Sequence, residues 1–194
     1  MKKNNTSIYI PFILSLITLL SFACKTETND PLIEDKTVNK TIVTGGSSSR
    51  YGADDSIDVN GDGDFDFKFL FGAVSGVTDT TFYGGACIKG DVLTYTQNLG
   101  TTSTVFTTIF NKGDKISSSS TIWSTFGFAA GTLGTTSIGI AGAGDKLIGF
   151  RFNAGDGTHY GWMKVNIAEN YTSLKVVELA YHKTPNTEIE AGVK

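Results

Sequence analysis

The residues whose types and spacing could do chemistry form one acidic segment, Asp58-Val59-Asn60-Gly61-Asp62-Gly63-Asp64-Phe65-Asp66. Oxygen-bearing side chains stand at its first, third, fifth and ninth positions, and the seventh residue can offer its main-chain carbonyl. Alternate oxygen ligands around a glycine at the sixth position allow a short loop to wrap a hard cation. The segment therefore predicts a calcium site with a structural role, formed by Asp58, Asn60, Asp62, Asp64 and Asp66.

The segment departs from an EF-hand, because Phe69 stands at the twelfth position in place of a bidentate glutamate and a strand pattern follows. It resembles instead the Asp-x-Asp/Asn-x-Asp-Gly-x-x-Asp calcium loops of FG-GAP and thrombospondin type 3 repeats, which stabilise extracellular β folds. The resemblance implies main-chain ligation by Asp64 and side-chain ligation by Asp58, Asn60, Asp62 and Asp66. The competing interpretation is a polar Asn-Gly and Asp-Gly turn without a metal.

The two histidines, His159 and His182, are the candidates for a general base. The chain has no Gly-x-Ser-x-Gly and no His-Glu-x-x-His sequence, so neither histidine belongs to a known nucleophile or metalloprotease motif. His159 follows the turn Gly155-Asp156-Gly157, and we expect it to be exposed to solvent. The sequence predicts a protein that is not an enzyme and assigns no catalytic residue.

Two aromatic residues, Tyr160 and Trp162, share one face of a predicted strand with Lys164. Large aromatic residues usually fill the core, which is the favoured interpretation. The alternative is that they are exposed, face a ligand and stack on sugars. A glycosidase would also need two carboxylates about 5–10 Å apart, and the candidates for such a pair are Asp145, Asp156, Glu169 and Glu178.

The elements that must position these residues are strands. Glycine, threonine, serine and phenylalanine are abundant, and no helical stripe is visible after the N-terminal segment. Alternation and turn residues predict a hairpin of 80–88 with 92–96. The other predicted strands are 41–44, 65–71, 104–110, 121–126, 146–152, 160–167 and 174–183. This pattern predicts an all-β single domain, built as an antiparallel β-sandwich with a jelly roll as one form of it.

The N-terminal segment has the pattern of a targeting signal. Lys2 and Lys3 precede an apolar run from Ile8 to Phe22 that ends at Ala23-Cys24, as is typical of a secretory signal peptide. Because the segment ends on cysteine, it resembles a bacterial lipoprotein signal. This resemblance implies removal of residues 1–23, acylation of Cys24 with fatty acids such as palmitate, and a lipid anchor in the outer membrane. An uncleaved anchor and plain secretion remain the alternatives.

The composition sets limits on partners. After removal of Lys2 and Lys3 the chain would keep 14 basic and 19 acidic residues, a net charge of −5, without a basic cluster. Nucleic-acid binding is therefore not expected. Cys87 is the single cysteine after Cys24, so no intramolecular disulfide is expected. Residues 24–36 are polar and predict a flexible tether, followed by the folded domain at 37–194.

The C-terminal third carries a second resemblance. Its motifs, Gly149-Phe150-Arg151-Phe152, His159-Tyr160-Gly161-Trp162, Ala180-Tyr181 and Ile189-Glu190-Ala191-Gly192, resemble the end of a family of secreted bacterial β domains. Many members carry sorting signals or lipid anchors, so the resemblance implies a fold and a surface location more than an activity. The sequence thus predicts a lipid-anchored envelope protein with a binding, adhesion or surface-structural role, whose partner is a glycan or a surface protein. A glycan-active enzyme or carbohydrate-binding module is the alternative.

Overall fold

Residues with β-branched and aromatic side chains, separated by glycine and asparagine turns, form the strands of this protein. The computed structural model describes residues 32–43, 56–69, 80–87, 90–99, 102–120, 122–133 and 136–194. Within these ranges every regular element is a β-strand, which confirms the prediction of an all-β fold. No helix that could cross a membrane occurs in these ranges. The predicted signal peptide and Cys24 lie outside the described residues.

The described strands follow in chain order. They are β1 (Ile33–Val43), β2 (Ser56–Ile57), β3 (Phe67–Lys68), β4 (Thr80–Cys87), β5 (Gly90–Leu99), β6 (Thr102–Thr107), β7 (Ile109–Phe110), β8 (Lys115–Ile116), β9 (Trp123–Ser124), β10 (Phe126–Leu133), β11 (Thr136–Gly139), β12 (Lys146–Ala154), β13 (Gly157–Ile167), β14 (Ser173–His182) and β15 (Ile189–Glu190).

Thirteen of these strands belong to one large mixed sheet, with the order β1-β14-β13-β12-β5-β6-β10-β4-β3-β2 along its main path. Strands β11, β7 and β9 pair with β10, β12 and β5, and β15 forms a second small sheet with β8. Among the described pairs, β6 and β10 run parallel and the others antiparallel. Strand β5 joins the half of the strand order that runs from β1 to β12 to the half that runs from β6 to β2. Its residue Val92 pairs with β12, whereas the residues from Thr94 onwards pair with β6.

The two ends of the sheet, β1 and β2, are bridged by lysine side chains. Lys36 Nζ donates to the carbonyl of Asp58 at 3.1 Å, and Lys40 Nζ donates to the carbonyl of Ser56 at 2.7 Å. Strand β1 also has a bulge between Thr37 and Lys40, where Asn39 adopts a φ of 48°. Lysines and bulges on an edge strand prevent pairing with another chain, and here the lysines also close the seam between β1 and β2.

Two buried clusters flank β13. The larger cluster combines residues in or beside β2, β3, β5 and β10 with residues of β12, β13 and β14; it includes Ile57, Phe67, Val92, Ala129, Ile148, Phe150, Met163, Val165 and Leu174. The smaller cluster contains Leu93, Ile116, Tyr160, Trp162, Ala180, Ile189 and Ala191. Alternate residues of β13 therefore enter different clusters, so this strand is buried on both of its faces.

Several boundaries differ from the prediction. Strand β1 begins at Ile33, so the last residues of the predicted tether lie in the sheet and the fold starts before residue 37. The predicted pairing of 80–88 with 92–96 is wrong, because β4 pairs with β3 and β10. Strand β10, which was not predicted, pairs with β4 at the position where β5 was expected. In the predicted strand 65–71, Phe67 and Phe69 are buried, whereas Phe65 is 41% exposed.

Candidate functional site

The acidic loop, residues 58–66, connects β2 to β3. Its base is closed by the pairing of Ile57 with Phe67 and by a hydrogen bond from the amide of Asp66 to the carbonyl of Ile57 at 3.0 Å. Within the loop, Gly61 and Gly63 adopt φ values of 79° and 90°. This left-handed region is accessible to glycine at little cost, so the two glycines explain how the chain reverses within so few residues.

The side chains of the loop turn back onto its own backbone. Asp58 accepts the amides of Gly61 at 2.6 Å and Gly63 at 2.8 Å through its two oxygens. Asp62 Oδ1 accepts the amide of Asp64 at 2.8 Å, and Asn60 Oδ1 accepts the amide of Asp62 at 3.1 Å. The oxygens predicted from the alternation therefore converge on one short turn, where they satisfy main-chain donors.

Asp66 differs from the other predicted ligands in its burial. Its side chain is 2% exposed, and its Oδ2 accepts the amide of Val59 at 2.8 Å. The carboxylate thus lies beneath the loop and ties its beginning to its end. Burial of an ionised group is costly unless it is paired and hydrogen-bonded, which makes this acid part of the framework that shapes the turn.

The loop offers the donor set that calcium prefers, namely carboxylate, amide and main-chain oxygens. Asp58 and Asp62 accept backbone N–H groups through their carboxylate oxygens. Each of these oxygens has two lone pairs, so an oxygen that accepts one N–H retains a lone pair for a cation. Within the described ranges, no three acidic, histidine or cysteine side chains are grouped closely enough to hold a metal ion in the present geometry. The chemistry of the donors fits calcium, and closure around it would require the side chains to move inward.

The motifs of the C-terminal third have a structural explanation in the β12–β13 pair. Phe150 lies opposite Gly161, and Gly149 lies opposite Trp162. A Cβ on Gly161 would collide with the Phe150 ring and would lie 2.6 Å from the carbonyl oxygen of Ala180. Gly161 therefore makes room for the Phe150 ring across the strands, whereas a Cβ on Gly149 would lie 2.9 Å from the Phe110 ring.

The other residues of these motifs also have structural partners. Arg151 donates to Asp91 Oδ2 from Nε at 2.8 Å and from Nη2 at 2.5 Å, and its guanidinium lies 4.8 Å from the Trp123 ring centroid. The Trp123 ring in turn lies 5.8 Å from the ring of Tyr160. These contacts form a ladder of side chains between neighbouring strands.

The favoured interpretation, that Tyr160 and Trp162 fill the core, is confirmed, and the alternative that they face a ligand is wrong. Their exposures are 3% and 1%, and both belong to the smaller buried cluster. The indole Nε1 of Trp162 donates to the carbonyl of Val193 at 2.9 Å, so the C-terminal segment covers this face of β13. Sequence alternation identified the shared face correctly but could not show that a second layer covers it.

The carboxylates considered for a glycosidase pair have separate partners. Asp145 accepts Asn166 Nδ2 at 2.8 Å, and Asp156 binds His159. Glu178 forms ion pairs with Lys164 and Lys194. The hydrogen bond from Lys164, together with that from Lys194, holds the pKa of Glu178 below its ordinary value of 4.5. These contacts assign Glu178 to an ion-pair network between strands.

An open cleft of about 220 Å³ lies beside the acidic loop. Its walls come from the loop, from the β12–β13 hairpin and from the end of β14. The lining residues are Asn60, Phe152, Ala154, Asp156, His159, Tyr181 and Lys183. Sequence reasoning did not find this cleft, because its walls are separated in sequence and meet only through the pairing of β12, β13 and β14.

His159 forms the floor of the cleft, and its predicted exposure is wrong, because it is 4% exposed. Its Nδ1 lies 2.9 Å from the carbonyl oxygen of His182, and its Nε2 lies 2.9 Å from Asp156 Oδ1. The hydrogen bond to His159 lowers the pKa of Asp156, so that carboxyl is an acceptor near neutral pH. Both ring nitrogens thus lie at hydrogen-bond distance from an oxygen atom, so the ring is held on two sides.

Tyr181 completes the floor. Its hydroxyl donates to Glu34 Oε2 at 3.2 Å, and burial, followed by the charge of Glu34, raises its pKa to about 12. Its ring meets Phe152 edge-on at a centroid distance of 5.2 Å, and the Phe152 ring stacks on His159 at 5.2 Å. The floor is therefore a fixed aromatic cluster whose polar atoms are already bonded.

Comparison of the chain with protein-family models, with curated proteins and with solved structures finds no match in any of the three.

Proposed function

We propose that this protein is a calcium-stabilised β-sandwich held at the bacterial outer membrane by a lipid on Cys24, where it has a binding, adhesion or surface-structural role. The observation that carries the proposal is the acidic loop. Its oxygens are arranged around a turn that depends on Gly61 and Gly63, and calcium is the ion that suits such a loop outside the cytoplasm.

The sandwich arrangement is supported by the composition of the larger cluster. Phe67 and Ala129 come from one half of the strand order, whereas Ile148 and Leu174 come from the other half. All four also line a small apolar cavity of about 20 Å³. Two sheet halves that share a core and one continuing strand, β5, favour face-to-face packing. A jelly roll is one connectivity compatible with this packing.

The calcium proposal is supported by the charge of the loop. Asp58, Asp62 and Asp64 lie within one turn, where like charges repel one another unless a cation compensates them. A calcium ion would be held by Asp58, Asn60, Asp62, Asp64 and Asp66, as the sequence predicts. It would supply positive charge and cross-link β2 to β3, which is a structural role.

A thermal denaturation experiment tests the calcium proposal. Calcium at about ten times or more its dissociation constant should stabilise the full chain by about 1.4–2.7 kcal/mol, relative to the same protein in EGTA. Asp62→Asn retains an acceptor for the amide of Asp64 but removes one charge, so it should lower the calcium-dependent shift. Asp145→Asn removes the same charge from a site bonded to Asn166 and should leave the shift unchanged. Equal melting temperatures in calcium and EGTA would rule out the calcium part.

The lipid proposal has its own test. The full chain expressed in a bacterium should incorporate labelled palmitate and partition with the outer membrane, and Cys24→Ala should lose both properties. Cys87→Ala serves as the matched control and should retain the label. Label that persists in Cys24→Ala would contradict the anchor without affecting the calcium proposal.

A further inference from the structure

We propose that the cleft beside the acidic loop binds a single ring of a neutral glycan. The proposal rests on the binding role proposed above and names the class of ligand. The cleft is a different location from the face of Tyr160 and Trp162, which is buried. Four features of the cleft favour a neutral hydroxylated ligand: its size, its rigid floor, its mixed hydrogen-bonding rim and its charge.

The size of the cleft limits the ligand to a small molecule or to one unit of a polymer. Its volume of about 220 Å³ corresponds to roughly seven water molecules at about 30 Å³ each. Sites for larger organic ligands usually have about 300–1,000 Å³. Because the cleft is open to solvent, the rest of a chain attached to the bound ring can extend outward.

The floor is organised before a ligand arrives. Phe152, His159 and Tyr181 are 1%, 4% and 6% exposed, and their rings contact one another. His159 is held by the His182 carbonyl and by Asp156, whereas the Tyr181 hydroxyl is held by Glu34. A rigid site does not have to lose side-chain freedom on binding, so even a few contacts can give measurable affinity.

The rim combines two kinds of hydrogen-bonding group. Asp156, whose side chain is 60% exposed, is an acceptor, and Lys183 carries an ammonium group with N–H donors. Sugar hydroxyls donate and accept at the same time, so they complement such a rim. The methyl group of Ala154 also lines the cleft and suits the C–H face of a sugar ring.

The charges around the cleft favour a neutral ligand over an anionic one. The lining carries one carboxylate, Asp156, and one ammonium group, Lys183. A single lysine does not provide the cluster of positive charge that phosphate or sulfate groups require.

The test uses the full chain in detergent micelles and follows backbone amide and histidine ring signals by NMR. Glucose, galactose, mannose and N-acetylglucosamine are titrated separately, and glycine and inorganic phosphate serve as zwitterionic and anionic probes. At least one sugar should shift the signals of Asn60, His159 and Lys183 in a saturable manner, with a dissociation constant of order 1 mM. The amides of Gly61 and Gly63 report calcium in the same spectra, so failure of sugar binding is distinguishable from failure of the calcium proposal.

Two variants locate the binding. Ala154→Trp fills the cleft and should abolish the shifts, and Lys183→Ala should weaken binding about tenfold through loss of a charged donor. If Ala154→Trp does not fold, Lys183→Ala decides alone. Asp145→Asn, away from the cleft, should bind as the unmodified chain does. The proposal is overturned if no sugar shifts the cleft signals, if only glycine or phosphate does so, or if Lys183→Ala binds with unchanged affinity.

Discussion

At the scale of single residues, the loop carboxylates connect main-chain order with the proposed metal site. Asp58 accepts two amides, from Gly61 and Gly63, so it holds the turn in place without an ion. The same oxygens retain lone pairs that a cation could use. A loop built in this way has its shape largely determined by hydrogen bonds, and calcium would add stability by compensating the negative charges gathered there.

Removal of the Asp58 side chain should destabilise the protein even without calcium. Asp58→Ala leaves the amides of Gly61 and Gly63 without their side-chain acceptor, and two such hydrogen bonds contribute about 1–2 kcal/mol to the free energy of unfolding. Urea denaturation in EGTA measures the loss. Asp145→Ala, which removes one exposed acceptor, should cost about 0.5 kcal/mol or less. Equal losses in the two variants would show that the Asp58 contacts do not stabilise the turn.

The sequence was informative about residue types and less so about their surroundings. The alternation of oxygen-bearing residues correctly indicated a tight, glycine-dependent turn at 58–66, and whether it binds calcium stays a prediction. The exposure of His159 was mispredicted because a preceding turn suggests solvent contact, whereas His182 and Tyr181 on the neighbouring strand β14 cover the ring. The local sequence does not indicate which strand becomes the neighbour in the sheet.

At the scale of elements, the β12–β13 pair depends on glycine opposite an aromatic residue. Gly161 lies under the ring of Phe150, and Gly149 lies opposite Trp162. Glycine normally weakens a strand, but a cross-strand aromatic ring can compensate by covering the exposed backbone. Packing between the strands therefore accounts for the pairing of Phe150 with Gly161 in this protein.

Addition of one methyl group at Gly161 should test this account. Gly161→Ala places a Cβ 2.6 Å from the carbonyl oxygen of Ala180, and overpacking of this kind costs about 1–3 kcal/mol. Gly155→Ala is the matched control, because no atom lies within 4 Å of its added Cβ, and its effect should stay within about 0.5 kcal/mol. The two unfolding free energies can be compared by urea denaturation. Equal stability of both variants would contradict the packing explanation.

Strands were predictable where bulky residues alternate and were missed where they do not. The predicted segments 146–152 and 160–167 lie within β12 and β13, and the segment 174–183 extends one residue beyond β14. Strand β10 was missed because Gly127, Ala129, Ala130 and Gly131 give it no bulky alternation. With β10 absent from the prediction, β4 and β5 appeared to be natural partners, whereas in the structure β10 lies between β4 and β6.

At the scale of the whole molecule, polar side chains join the strands at the β1 end of the sheet to one another and to β2. Lys36 and Lys40 bridge β1 to β2, and Lys194 contacts both Asp35 of β1 and Glu178 of β14. Glu178 also pairs with Lys164 of β13. The ion-pair network therefore joins three neighbouring strands to the C-terminal residue, and it should respond to acid.

The response to acid should depend on Glu178. Because Lys164, and then Lys194, lower its pKa in the folded protein below 4.5, its stabilising contribution is complete above that value and is lost as the pH falls through the folded pKa. Between about pH 7 and about pH 3, the free energy of unfolding of the unmodified chain should thus fall by about 1 kcal/mol more than that of the Glu178→Gln variant. The Glu169→Gln variant, which changes an exposed side chain, serves as the control and should lose as much stability over this pH range as the unmodified chain does. Parallel pH profiles for the unmodified chain and Glu178→Gln would contradict the role of the network.

The most direct test of the central claim is an NMR titration of the full chain with calcium, read at the amides of Gly61 and Gly63. These amides are held by Asp58, so closure of the loop around an ion must change their environment. The account predicts saturable shifts at both glycines with one ion per chain and a dissociation constant of about 0.1–1 mM. Unchanged Gly61 and Gly63 signals up to about 10 mM calcium, well above that range, would contradict it.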